Sequence, residues 1–432
     1  MPGRCDLALT DVLLPGGRVT DLSLSGGQVV HTGARLSADE VINCRGKIVL
    51  PAAVDMHVHM RGREQSHKED WESGSQSALA GGVTVVVDQP NTIPPLVTPG
   101  AFTRRVSEAE EKSACHFAIN AGYTADCDLR ALWERGAMAF GELFAAPSSY
   151  GDALNPGELA EVLGSVASIG GLCTIHAEEV MAGLDSDLSV HNALRSPAGE
   201  SRAVQWIKKQ NLSSCRLHFC HMSTLDSVTN TGDSTFEVTP HHLFLSLEDF
   251  DPLDARGKVN PPLRSEVERR KILSAWERID VLASDHAPHT LKEKNVPFET
   301  APSGIPGVET MVPLALMFCR ERKIPVTSLV EKTSWKPSDI LGIPRAGFSA
   351  GNRADFALYG RTASPVRADQ LHSRAGWTPF EGMKAIFPDT VIMGGKVVFH
   401  KGVFTHGNPS WIPGRGYIGP APINNGADTA QP

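Results

Sequence analysis

His57 and His59 stand one residue apart in Val54-Asp55-Met56-His57-Val58-His59-Met60-Arg61, shortly after the apolar run Lys47-Ile48-Val49-Leu50-Pro51. In an extended strand, residues two apart point to the same side. The pair therefore presents two imidazoles to one space, with Arg61 next in that row. Two neutral imidazoles at a strand end form half of a site for a divalent metal such as zinc. His176, His221 and Asp285 close later apolar runs, Leu172-Cys173-Thr174-Ile175, Arg216-Leu217-His218-Phe219-Cys220 and Val281-Leu282-Ala283-Ser284. Together these residues imply a binuclear site, in which two ions roughly 3.5–4 Å apart need a bridging anion. Glu142 is the candidate bridge, as the only ionised residue in Ala137-Met138-Ala139-Phe140-Gly141-Glu142-Leu143-Phe144. An unpaired carboxylate in such a run would be costly, and ligating a cation removes the cost. Cys220 and Glu237 could extend the cluster; a buried thiol and an outer carboxylate that orients a ligand are the simpler assignment. Alternation turns His286 away from Asp285, so it is given no role.

These residues need elements that bring distant sequence to one place. Apolar runs recur at 53–59, 83–88, 116–120, 137–144, 172–176, 216–221, 235–239 and 281–285, with helix-like stretches in most of the gaps. One such stretch, Trp71 to Ala80, ends at Gly81-Gly82. Eight strands alternating with helices predict parallel βα units and an α/β fold, a closed (β/α)₈ barrel. A barrel of this kind places its chemistry at the carboxyl ends of its strands, where most of these runs carry His, Asp, Glu or Asn. Before the first run, residues 1–50 alternate apolar and polar in short pieces broken by glycine; the pattern returns in Asp355–Tyr359 and Val391–Phe399. The expected organisation is a flanking β-domain built from 1–50 and 351–405, a metal-binding barrel over 51–350, and a surface tail over 406–432. The connection Leu245–Val259 is long enough to act as a lid at the barrel mouth.

The totals narrow the partners. The 432 residues are 41% hydrophobic and 21% charged, ordinary for a globular chain. A net charge of −8 gives no basic footprint, which argues against nucleic acid or an anionic membrane as partner. The eight cysteines form no C-x-x-C pair, and no run has the length of a signal core or membrane span. A soluble cytoplasmic protein follows; a homodimer is compatible with this reading.

Over residues 45–405 the chain resembles the dihydroorotases of the cyclic amidohydrolase superfamily. The resemblance is carried by Asp55-Met56-His57-Val58-His59-Met60-Arg61, His67-Lys68-Glu69-Asp70, Gln89-Pro90-Asn91-Thr92, His176-Ala177-Glu178 and Thr239-Pro240-His241-His242-Leu243-Phe244. It continues in Lys258-Val259-Asn260-Pro261-Pro262-Leu263-Arg264, Ser284-Asp285-His286-Ala287-Pro288-His289-Thr290 and Gly304-Ile305-Pro306-Gly307-Val308-Glu309-Thr310. It implies reversible cyclisation of N-carbamoyl-L-aspartate to dihydroorotate, with two Zn²⁺ ions held by His57, His59, Glu142, His176, His221 and Asp285. Asp285 would act as general acid/base. Arg61, Asn91 and His289 would hold the substrate carboxylate, Asn260 would hydrogen-bond the substrate, and Pro306 and Gly307 would offer backbone contacts. In one respect the chain departs from the family's pattern, which has a carboxylated lysine on strand four. Ala137 to Tyr150 contains no lysine, and the shorter Glu142 stands in the matching place. Two alternatives remain at this point: another cyclic amidohydrolase, a hydantoinase or allantoinase, or an inactive barrel serving as a scaffold.

Overall fold

The computed structural model describes residues 4–144 and 153–419. The first strands, β1 (Arg4–Leu13), β2 (Val19–Ser25), β3 (Gln28–Gly33) and β4 (Ser37–Asn43), form one sheet in the order β3-β2-β1-β4. Next come β5 (Ile48–Pro51) and β6 (Ala53–Val58), helix α1 (Trp71–Gly81), β7 (Val83–Asp88), helix α2 (Pro99–Lys112) and β8 (His116–Ile119). They are followed by β9 (Phe140–Phe144), β10 (Leu172–His176), β11 (Arg216–Phe219), β12 (Thr235–Val238) and β13 (Val281–Leu282), with helices in most of the intervals. The chain closes with β14 (Phe356–Tyr359), β15 (Ser364–Pro365), β16 (Lys384–Ala385), β17 (Pro388–Met393), β18 (Lys396–His400) and β19 (Val403–Phe404).

Strands β6 to β13 are paired in parallel, as β6-β7-β8 and as β13-β12-β11-β10-β9. The two sheets meet at both seams. Ala121 bridges Phe140 beyond β8, and Val58 bridges His286 beyond β13, both in parallel. Two buried layers follow from strand alternation. One set, including Val54, Met56, Val85, Val87, Ala118 and Val281, packs into a cluster of its own. The other, including Val86, Phe117, Phe140 and Phe219, packs with apolar residues of the helices, such as Ala78 and Phe102.

Helix α1 shows how local sequence fixes an element. Asp70 and Ser73 form a reciprocal capping box at its start, and Gly82 (φ 88°) ends it in the left-handed region that glycine adopts without strain. A Cβ at Gly82 would also meet the Tyr359 hydroxyl.

Five of the eight runs end earlier as strands than the sequence pattern predicts, and three of them run into left-handed turns. Those three strands end at Val58, Phe219 and Leu282. Just beyond them Arg61, His221 and Asp285 take φ of 47°, 35° and 44°. These left-handed turns leave the ladder, so Arg61 does not continue the side-chain row of His57 and His59 by simple alternation.

The two chain ends meet. β5 pairs with β14 in the sheet β19-β18-β17-β14-β5. Leu7, Leu22 and Val49 share a core with Phe356, Leu358 and Ile392. In the tail, Ile412 N donates to Phe117 O (2.7 Å), Gly414 N donates to Gly136 O (2.9 Å), and Ile412 packs on the inner cluster. Between β12 and β13, the segment 245–259 carries two 3₁₀ turns and buries Leu245, Ala255 and Val259.

Phe356 is fully buried and stacks on Phe348 with ring centroids 5.5 Å apart, in the core shared by both ends. Phe356→Ala should lower the unfolding free energy by about 3–5 kcal/mol, measured by urea denaturation. A loss below about 1 kcal/mol would mean that this shared core contributes little.

Candidate active site

The ligand-type residues converge at the carboxyl ends of β6, β9, β10, β11 and β13. His57 Nε2 lies 3.5 Å from Asp285 Oδ1 and 3.6 Å from Glu142 Oε2. His59 Nε2 lies 3.1 Å from the same Asp285 oxygen. On the other side, Glu142 Oε1 is 2.9 Å from His176 Nδ1 and 2.6 Å from His221 Nε2, and those two nitrogens are 3.2 Å apart. Glu142 thus turns one oxygen towards His57 and the other towards His176 and His221. All six residues are buried.

Partners outside this cluster fix which ring nitrogen faces it. His57 Nδ1 donates to Glu237 Oε1 (2.5 Å), and His59 Nδ1 donates to Asn91 Oδ1 (2.7 Å). Both rings therefore aim Nε2 inward. His176 is reversed: its Nε2 donates to Glu178 Oε2 (3.0 Å), leaving Nδ1 for the cluster. His218 Nε2 donates to the second oxygen of Glu237 (3.1 Å).

The electrostatics follow from burial. Burial pulls His176 down, but hydrogen bonds to Glu142 and Glu178 outweigh it and raise its pKa to about 10. Burial pushes Glu237 up, but His57 and His218 hold it at about 2. Burial raises Glu142 and Asp285 too, yet the surrounding histidines keep both below the usual carboxylate range. These carboxylates stay ionised by taking positive charge from the imidazoles, a role a divalent cation fills directly. The buried Nε2 of His57 has no hydrogen-bond partner among the described residues and points at Asp285 and Glu142, so the donor set fits a metal.

The cluster opens into a cavity of about 370 Å³ lined by Glu142, His176, His221 and Asp285 on one side and by Arg61, Asn91, Asn260 and His289 elsewhere. Burial, the largest influence on Arg61, lowers its pKa to about 10, which leaves it a cation at neutral pH. Arg61 Nη2 lies 3.5 Å from His289 Nε2. With its carbonyl on His59, Asn91 has its amide nitrogen for the cavity. Asn260 accepts from Ser303 Oγ (3.4 Å). Its loop is tied down by His242, which donates from Nε2 to Pro261 O (3.0 Å).

Pro306 and Gly307 do not line this cavity. Gly307 N donates instead to His286 Nδ1 (3.1 Å), while Pro302, Ser303 and Gly304 are among the residues lining the cavity. His286 faces Glu69, with Nε2 3.3 Å from its carboxylate, away from the cluster. Cys220 is buried beside His57 and Glu237, and burial pushes its thiol up, so it stays protonated. Sequence reasoning assigned nothing to Gln65, Glu178 or Ser303. Glu178 lay in a motif, His176-Ala177-Glu178, whose i, i+2 spacing was the available signal; Gln65 and Ser303 had none.

No protein-family model matches the chain. It is 39% identical over 414 residues to a dihydroorotase of Methanosarcina acetivorans, covering 88% of this chain and 89% of that protein. It is 38% identical over 404 residues to a dihydroorotase of Halobacterium salinarum, covering 90% and 96%. The chain belongs to the dihydroorotase family. Among solved structures, the L-hydantoinase (dihydropyrimidinase) of Arthrobacter aurescens superposes with a TM-score of 0.89 at 26% identity, covering 95% of this chain and all of that one. A D-hydantoinase from Thermus sp. shares the fold with a TM-score of 0.85 at 20% identity, covering 94% and 99%. This dihydroorotase-family chain is thus an α/β protein of the cyclic amidohydrolase superfamily.

Glu142 contacts both halves of the ligand set, so removing it should weaken metal binding. Glu142→Ala should bind divalent metal at least tenfold more weakly, roughly the lower bound known for losing an outer partner of a ligand. Metal content after dialysis against a chelator series measures this; wild-type affinity in the variant would rule out a bridging role.

Proposed function

We propose that the protein is a dihydroorotase, which reversibly cyclises N-carbamoyl-L-aspartate to (S)-dihydroorotate with release of water, the third step of de novo pyrimidine biosynthesis. The observation that carries this reading is that one cavity holds both the metal-type ligand cluster and the Arg61–His289 pair. The first can open or close a cyclic amide; the second can hold a fixed carboxylate. The two seam bridges support a closed (β/α)₈ barrel of β6–β13 with the shared β-domain beside it. The corresponding boundaries are 51–350 for the barrel, 1–50 with 351–405 for the β-domain, and 406–432 for the tail.

His57, His59 and Asp285 would hold one zinc ion and His176 and His221 a second, with Glu142 between them. When bound, the ions lower the pKa of water and polarise a carbonyl. Asp285, at the edge of the cavity, is the general acid/base. In hydrolysis it takes the proton of the attacking water and delivers it to the departing ring nitrogen. In synthesis it accepts a proton from the ureido nitrogen as that nitrogen attacks the carboxyl carbon, and passes it to the carboxyl oxygen whose C–O bond breaks; that oxygen leaves as hydroxide and takes a proton from solvent to become water. Arg61 grips the substrate carboxylate, with His289 and the Asn91 amide beside it, while Asn260 hydrogen-bonds the ring.

Hydantoin and allantoin carry no carboxylate for this grip, which sets the dihydroorotase reading above the hydantoinase or allantoinase alternative. An inactive scaffold would have lost ligands, whereas His57, His59, His176, His221 and Asp285 are all in place. No helix among the described residues is long and apolar enough to cross a membrane, and the cysteines are free, which supports a cytoplasmic enzyme.

The wild type should turn over dihydroorotate in preference to hydantoin and allantoin. Arg61→Met should reduce kcat/KM for dihydroorotate by about 100-fold, the cost of stranding a buried charge partner. Steady-state assays on the three substrates decide this; faster turnover of hydantoin or allantoin by the wild type would overturn the assignment.

A further inference from the structure

His289 is buried between two side chains that can only donate hydrogen bonds. Lys68 Nζ lies 3.2 Å from its Nδ1, and Arg61 Nη2 lies 3.5 Å from its Nε2. A neutral imidazole has one acceptor nitrogen, so only one of these contacts can be a hydrogen bond. Burial, reinforced by Arg61 and Lys68, holds the ring well below its ordinary pKa, so it is neutral.

Geometry decides which nitrogen accepts. The Lys68 contact is the shorter, and the lysine is itself braced, 2.9 Å from Glu293 Oε1. Glu293 Oε2 in turn accepts from the Thr290 amide (2.9 Å) and hydroxyl (3.0 Å), in the turn directly after His289. Trp377 Nε1 donates to His289 O (2.7 Å) and fixes the backbone. With Nδ1 accepting from Lys68, the ring proton sits on Nε2 and faces the guanidinium. Two donors then meet where the cavity begins, since Arg61 and His289 line it and Lys68 stands behind them. Arg61 Nε is buried as well, with no hydrogen-bond partner among the described residues. Such a convergence of donors suits an anion with two acceptor oxygens.

We propose that Lys68 is a positioning residue for substrate selection. It holds the His289 proton on Nε2 and so makes Arg61 and His289 a two-donor clamp for the substrate carboxylate. This rests on the dihydroorotase reading above and extends it to a residue that does not touch the substrate.

The test joins spectroscopy to kinetics on the full-length, metal-loaded enzyme. In ¹⁵N-histidine-labelled wild type, His289 should show a protonated Nε2 and an unprotonated Nδ1. In Lys68→Met the proton should move to Nδ1, with Nε2 accepting from Arg61. KM for dihydroorotate should then rise about tenfold, the scale of one lost hydrogen bond to a charged group, with kcat changing less. Lys68→Arg, which keeps a donor, should restore both readouts. Should Lys68→Met fail to fold, Glu293→Gln loosens the same lysine from farther away and should shift the tautomer and KM in the same direction. An unchanged tautomer in the variants, or a loss confined to kcat, overturns the proposal. A wild type inactive on dihydroorotate defeats the underlying reading, whereas an active wild type with the His289 proton on Nδ1 defeats this proposal alone.

Discussion

Glu142, Glu178, Glu237 and Asp285 are buried together with His57, His59, His176 and His221, and the balance of charge among them governs the rest of the structure. A buried carboxylate without a partner costs several kcal/mol even after the protein relaxes. Here each is answered by an imidazole, and His57, His59 and His176 are each oriented by a carboxylate or amide on the outer nitrogen. The arrangement has two levels. Glu237, Asn91 and Glu178 hold the outer nitrogens, which leaves the inner nitrogens converging with Glu142 and Asp285. That inner group has the donors and charge a divalent cation requires.

Keeping such a cluster dry and rigid explains features elsewhere. Parallel strands bring residues far apart in sequence to one end, while the apolar side chains on the same strands fill the space below them. The turn from ladder to site happens abruptly, at His221 and Asp285, in left-handed conformations that non-glycine residues adopt at a cost of about 1 kcal/mol. Strain of this kind persists where the surroundings over-determine it. At Asp285 the neighbours Ala283, Ser284 and His286 are each held: Ala283 N donates to Val238 O, Ser284 N to Asp55 Oδ1, and His286 N to Ser284 Oγ.

The period of the apolar runs made the strands legible, because each is buried on both faces and ends in a residue that would be costly there without a task. Helix α1 was legible for the same reason at its Gly81-Gly82 stop. The carboxyl-terminal limits of β6, β11 and β13 were not, since a left-handed turn at Arg61, His221 or Asp285 leaves no mark in hydrophobic periodicity. Ligand-type residues stood out by chemical type. The cavity wall did not: Ser303 and Gly304 act through backbone position, and the motif around Pro306 and Gly307 pointed a few residues too far along. Lys68 and Glu178 were visible as parts of motifs, but their partners, His289 and His176, become evident only once the chain is folded.

The proposed grip on the carboxylate and the metal-type cluster are not independent, because both hang from the end of β6. Arg105 donates from Nη1 to the Arg61 carbonyl (2.7 Å) and from Nε to Asp88 Oδ2 (2.8 Å). The other Asp88 oxygen accepts from Met60 N (2.8 Å). This buried ion pair between α2 and β7 clamps Met60 and the left-handed Arg61, the two residues that follow His59. A displacement of Arg61 would therefore carry His59 with it, and the distance between the carboxylate grip and Asp285 is set by one short, braced segment. In the function proposed above, selectivity and catalysis would be matched by covalent proximity: the residue proposed to choose the substrate follows the metal-type histidines so closely that neither can be repositioned alone.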